Sequence, residues 1–421
     1  MINLRDPERV EQLKQLLSTT VLQGVLQVLT FIAGIVVIRL LAEDQYAYYT
    51  IANATLGTLA VLTDSGISQW VMSRGGSVWQ DRGRLGAVIA CAMLLRRRFA
   101  LIAGTVALPV LCLLLLRQGA SWQTAMLVCL SILPLFISTL TGQLYEAVGR
   151  LHQVLWPLQR TQLLGMALRV VLSTGALLLL PFAWIASVAA GLAQMWVTVR
   201  QRAIARDKAD LRAAPDHDDR INMRQQVARI APGAVYYAFS GQINIWIISI
   251  FGTSQTVAQV GALGRLAMVF NVLMAVISLV LVPRFARLPP VAQRLRLWFW
   301  RSQVAVALVL LAMVLTVAAF PEHVLWVLGP RYASLQRELL IAVVAGALGL
   351  QAASAYVLSA ARGIVINPML MIPAAIAMQV LLTAVLPVST TAGVLWLGLL
   401  VSLFTWLMQS GYFAFAVRAG R

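Results

Sequence analysis

The sequence predicts an all-α integral membrane protein of about twelve transmembrane helices. Three observations carry that expectation. Hydrophobic residues fill 60% of the 421 positions and charged residues only 11%, against roughly a quarter charged in soluble domains. Mean hydropathy is +0.82, which excludes a soluble globular enzyme and, with so few charges, a disordered chain. Charge-free runs near the roughly 20 residues that a membrane helix needs recur along the chain.

These runs place spans at 16–39, 47–72, 98–116, 122–145, 160–180, 182–199, 230–251, 256–283, 302–320, 338–361, 365–386 and 391–417. The first is expected to stay attached. Its leader, MINLRDPERVEQLKQ, mixes acids with bases, and the charge-free run Gln15–Ile38 is longer than a signal-peptide core. Pro181 separates the fifth span from the sixth, and PVSTTAG at Pro387–Gly393 separates the last two.

Charge then orients the spans. Of 33 basic residues, 31 are arginine, and the net charge is +18. With the N-terminus in the cytoplasm, 27 basic residues fall on the cytoplasmic side. Only Arg39, Arg117, Arg331 and Arg337 fall outside, and Arg169 and Arg265 lie within spans. That asymmetry follows the positive-inside rule and accounts for the basic pI without nucleic acid. Both termini are therefore expected in the cytoplasm. The domain reading is an N-terminal lobe at 1–199, a basic cytoplasmic linker at 200–229 and a C-terminal lobe at 230–421. Six spans, a charged linker and six more suggest two similar halves, a common transporter design.

The sequence carries no signature of a reaction. Cys91, Cys112 and Cys129 sit in or beside apolar runs without CxxC spacing, and His152, His217 and His323 are isolated. They read as core or surface residues, not as metal ligands. No Walker loop, GxSxG or HExxH occurs, so neither ATP hydrolysis nor a cofactor is expected.

Several stretches resemble the polysaccharide-exporter family, the O-antigen and lipid-linked oligosaccharide flippase branch of the multidrug/oligosaccharidyl-lipid/polysaccharide (MOP) superfamily. IRLLAEDQYAYYTI followed by LTDSGISQWVMSR is similar to that family's first external loop and second helix. Asp64-Ser65-Gly66 sits where the family carries Asp-x-Gly. VGALGRLAMVFNVLMAVISLVLVPRFAR, which contains Arg265, is similar to the eighth helix. VLWVLGPRYASLQRELLIA resembles the ninth-to-tenth connection, and TTAGVLWLGLLVSLF the start of the last helix. Ala47 departs from the pattern, which often has glycine there. The resemblance implies two six-helix lobes around a central cavity, and alternating access without ATP.

Charged groups inside spans are costly and mark cavities or partners. Arg169 and Arg265 read as cationic cavity residues, because a guanidinium fork donates paired hydrogen bonds to phosphate. The plainer readings are an ion pair of Arg169 with Asp64, and snorkelling or helix capping by Arg265. Asp64 reads as a coupling carboxylate for H+ or Na+, or as a structural partner of Arg169. Gln162, Asn244 and Asn271 are candidate sugar contacts, as are Gln23, Gln27, Asn53, Tyr236 and Gln242; each is otherwise an interhelical hydrogen bond. Glu146 and Arg150 read as a helix-surface pair. Arg96-Arg97-Arg98 reads as a stop anchor on the anionic inner leaflet, or as a contact for an incoming lipid pyrophosphate. Trp70, Trp122, Trp298, Trp300 and Trp326 read as interfacial anchors.

The expected function is translocation of a lipid-linked oligosaccharide of polyprenyl-pyrophosphate type, or a related glycolipid, to the periplasmic leaflet for surface polysaccharide synthesis. No covalent bond is broken, and polysaccharide assembly proteins are expected partners. The alternative within the superfamily is a drug/cation antiporter. A membrane-embedded polymerase or acyltransferase fits less well, because neither a large external loop nor an embedded histidine is present.

Overall fold

Away from water, a helix satisfies its backbone donors and acceptors within one segment, and the described chain is helical with no strand. The computed structural model describes residues 7–289 and 291–418, with side chains from residue 22 onward except at 23, 229, 232, 237 and 279. Arg5 and Arg421 lie outside the described residues, as do the side chains of Arg9, Lys14, Gln23 and Arg229. The chain divides into two units, Met1–Gln242 and Ile243–Arg421.

The first unit holds α1 (Pro7–Leu40), α2 (Glu43–Asp64), α3 (Ile67–Val78), α4 (Arg82–Arg117), α5 (Trp122–Leu151), α6 (Leu155–Leu179), α7 (Ala183–Lys208) and α8 (His217–Ser240). The second holds α9 (Ile243–Phe251), α10 (Ser254–Leu266), α11 (Met268–Ala286), α12 (Ala292–Ala319), α13 (Pro321–Leu328), α14 (Gln336–Ala360), α15 (Pro368–Val385) and α16 (Thr391–Arg418). Every predicted span falls on these helices. Among the described residues, eight helices are long and apolar enough to cross a membrane, or nine counting one bent pair. The fold class is that of an all-α integral membrane protein.

Three predicted spans, on α1, α2 and α7, fall outside the set that passes on length and hydropathy. In α2 and α7 the less apolar composition goes with packing inside the protein. α2 is rich in Tyr and Thr yet buries them within the protein. Thr55, Thr58 and Thr63 donate to carbonyls one turn back, at 2.9, 3.0 and 2.7 Å. α7 carries an Ala/Gly surface that lets α5 and α6 approach closely. A Cβ added at Gly165 of α6 would lie 2.0 Å from Val197 Cγ2 of α7.

Several boundaries differ from the expectation. The predicted span 47–72 breaks after Asp64, because Ser65 (φ 37°) and Gly66 (φ 88°) adopt left-handed conformations. The span 230–251 is divided between α8, which ends at Ser240, and α9, which begins at Ile243. The span 256–283 is interrupted only at Ala267, and its two pieces form one 33-residue stretch. α4 begins at Arg82, where Asp81 accepts hydrogen bonds from Gly83 N and Arg84 N at 2.9 and 3.0 Å. It therefore passes straight through the arginine triplet at the start of the predicted span 98–116.

Residues 200–229 are structured. α7 continues to Lys208, Asp210 N donates to Arg82 O at 2.9 Å, and α8 begins at His217. Arg74 Nε donates to Asp219 at 2.7 Å. Beneath these contacts lies a core from five helices, including Ile67, Val71, Leu85, Ala92, Leu144 and Met223. Trp70, expected at a membrane interface, is buried in this core; Trp122 and Trp326 remain exposed.

In the second unit α14 packs against α12 and α16. Phe285, Phe299 and Phe413 form an aromatic cluster. Beside it, Gln351 Nε2 donates to Gln303 Oε1 at 2.7 Å, and Gln303 Nε2 donates to Ser354 Oγ at 3.1 Å.

Candidate functional site

The end of α2 builds an enclosed polar site in the first unit. Asp64 accepts from Ser68 N at 3.2 Å and from Ser68 Oγ at 2.6 Å. Its other partner is Arg96 of α4, whose Nη2 donates to both Asp64 and Ser68 Oγ. Arg96 Nη1 donates to Leu140 O of α5 at 2.7 Å, and the Arg96 side chain is only 1% exposed. Three helices thus converge on one guanidinium. The expected ion pair of Asp64 with Arg169 is replaced by one with Arg96.

The triplet consequently divides. Arg96 lies on the buried stripe of α4 with Leu85, Ile89 and Ala92, whereas Arg97 and Arg98 are exposed. The signal was present in the spacing: 85, 89, 92 and 96 follow the i, i+3, i+4 pattern of one helix face. Starting the span at 98 hid it.

Arg169 falls ten residues before the end of α6 at Leu179, about 15 Å along the axis. It is half-buried, and its Nη2 lies 3.5 Å from the Tyr49 hydroxyl of α2. Gln162 lies two turns earlier on the same face of α6 and is also half-buried. Asn53 Nδ2 donates to Tyr49 O at 2.9 Å, which makes it a helix-internal contact. Gln242 packs against Gly57, and Glu146 pairs with Arg150 at 2.5 Å.

In the second unit, Arg265 is half-buried in the last turn of α10, immediately before the interruption at Ala267. Cationic groups suit that position, because the final carbonyls of a helix carry partial negative charge. Asn271 lies six residues further on, exposed on α11. Asn244 of α9 packs against Gly398 of α16, where an added Cβ would lie 2.8 Å from Nδ2. Its Oδ1 is enclosed and has no hydrogen-bond partner among the described residues.

No family model matches the sequence, and no curated protein matches it. Solved structures do match. An inward-facing multidrug resistance MATE family transporter of the MOP superfamily is 16% identical over 94% of this chain and 95% of that chain, with a TM-score of 0.69. An outward-facing MATE family transporter is 14% identical over 96% and 94%, with a TM-score of 0.57. A MOP superfamily transporter from Pyrococcus furiosus is 15% identical over 95% and 94%, with a TM-score of 0.57. That protein is described as having a binding pocket of reverse polarity, which suggests a different function for it. At these identities the likeness is one of fold: the chain has the fold of the MATE transporters of the MOP superfamily.

Proposed function

We propose that this protein is a transporter that moves a lipid-linked oligosaccharide, or a related anionic glycolipid, from the cytoplasmic to the periplasmic leaflet by alternating access without ATP hydrolysis. The observation that carries this reading is the sign of the uncompensated charge inside the membrane. Asp64 is neutralised by Arg96. Arg169, deep in α6, meets the Tyr49 hydroxyl and forms no ion pair with a carboxylate among the described residues. A cation at low dielectric attracts a pyrophosphate and repels a permanently cationic drug. Arg265 and Asn271 in the second unit, with Gln162 in the first, are assigned to phosphate and sugar contacts. Asp64 is assigned a coupling role only if Arg96 releases it.

The second reading is a drug/cation antiporter, favoured by the multidrug transporters that share the fold. One deletion strain separates the two when ethidium efflux and surface polysaccharide are measured together. The flippase reading expects loss of surface glycan, a lipid-linked intermediate held on the cytoplasmic leaflet and unchanged efflux. Slower efflux with an intact glycan profile overturns it and promotes the antiporter.

A further inference from the structure

Between α4 and α5 runs a cleft of about 720 Å³. Its walls are two matched helical stripes, Ala100 to Pro109 on α4 and Ile132 to Thr141 on α5, with residues recurring at i and i+4. Its floor is the buried trio Leu59, Phe136 and Leu140. The exposed face of α4 beside it is also apolar, with Leu101, Ile102 and Val106 uncovered. Such a surface lies in hydrocarbon. At its arginine end the cleft is lined by Met93, Arg96 and Arg97, of which Arg97 is exposed and has no ion pair among the described residues.

We propose that this cleft binds one anionic phospholipid, with an acyl chain along the seam and the phosphate on Arg97. Length is the first argument. From Arg97 to Pro109 the helix rises about 18 Å at 1.5 Å per residue, close to the roughly 15 Å depth of one leaflet's hydrocarbon. Charge is the second. A guanidinium at the head of an apolar slot pairs with phosphate oxygens through charge-assisted hydrogen bonds, and an anionic headgroup adds attraction that a zwitterion lacks. Arg96 does not compete, because its guanidinium is turned inward to Asp64, Ser68 and the Leu140 carbonyl. Since Leu140 both lines the cleft and holds Arg96, the bound lipid braces the seam on which the buried ion pair depends.

Gly104 supplies a clean probe. It lines the cleft, and a Cβ added there meets nothing within 4 Å. Gly104→Phe is therefore chosen to fill the slot from a position whose Cβ meets no packed atom, while Arg97→Gln removes the charge alone. The full chain would be purified in detergent and titrated with phosphatidylglycerol or phosphatidylcholine, reading bound lipid by native mass spectrometry and the unfolding midpoint by heating. The wild type should hold one phosphatidylglycerol per chain and be stabilised by it more than by phosphatidylcholine. Arg97→Gln should weaken phosphatidylglycerol about fivefold, the worth of one basic residue near a lipid surface, and Gly104→Phe should abolish the bound species. Equal response to the two lipids, or an unchanged bound species in both variants, overturns the proposal. Displacement of phosphatidylglycerol by polyprenyl phosphate at lower concentration overturns it too, and reassigns the cleft to a substrate tail.

Discussion

Arg96 and Asp64, 32 residues apart in sequence, form one ion pair that is enclosed on the arginine side and partly open on the other. The arginine side chain is 1% exposed and the aspartate 29%. The pair closes the point where α2 breaks, and Ser68 on the next helix hydrogen-bonds both partners. A charge removed from water to this extent depends on its partner.

The difference in exposure makes the two single truncations unequal. Asp64→Ala strands a fully enclosed guanidinium and should cost about 3–5 kcal/mol. Arg96→Met leaves a carboxylate that water still reaches, and should cost less. Replacing both with apolar residues should recover much of the loss. Thermal unfolding of the three variants in detergent checks this; equal losses in the single variants would contradict the asymmetry.

Arg169 should behave differently. Its one hydrogen bond is long, and no carboxylate depends on it among the described residues. Arg169→Ala should therefore leave the protein abundant in membranes while lowering export at least about tenfold, and Arg169→Lys should retain part of the activity because charge persists without the bidentate fork. Quantitative immunoblotting beside a surface-glycan assay separates these effects. Normal export by the alanine variant would remove Arg169 from the transport path.

The contact of α6 with α7 turns on a missing side chain. Gly165→Ala would drive a Cβ into Val197, an overpacking that typically costs about 1–3 kcal/mol. Val197→Ala in the same chain should restore most of the unfolding midpoint. Failure of that rescue would mean that the strain is relieved elsewhere.

Orientation is tested by reporter fusions. Those joined after Arg206 should report cytoplasm and those near Arg331 periplasm, in keeping with the 27-to-4 distribution of basic residues. A periplasmic signal after Arg206 would invert the topology.

The sequence by itself determined roughly where the membrane-spanning helices lie, though not their ends or breaks, and that the chain is a membrane protein, because hydrophobic run length and charge-free spacing are local properties set by the bilayer. It also exposed Arg169 and Arg265, since a charge within a long apolar run stands out without knowledge of its neighbours. The tertiary structure decided what those local signals cannot carry. The partner of Asp64 is Arg96 because α2 and α4 lie together with Leu140 of α5 behind them, and no spacing within one helix specifies a partner on another. The same packing turned Trp70 inward and ordered residues 200–229 against α4. It also left Arg97 outside while its neighbour Arg96 went in, because adjacent residues on a helix point about 100° apart and only the neighbouring helices determine which direction is the interior.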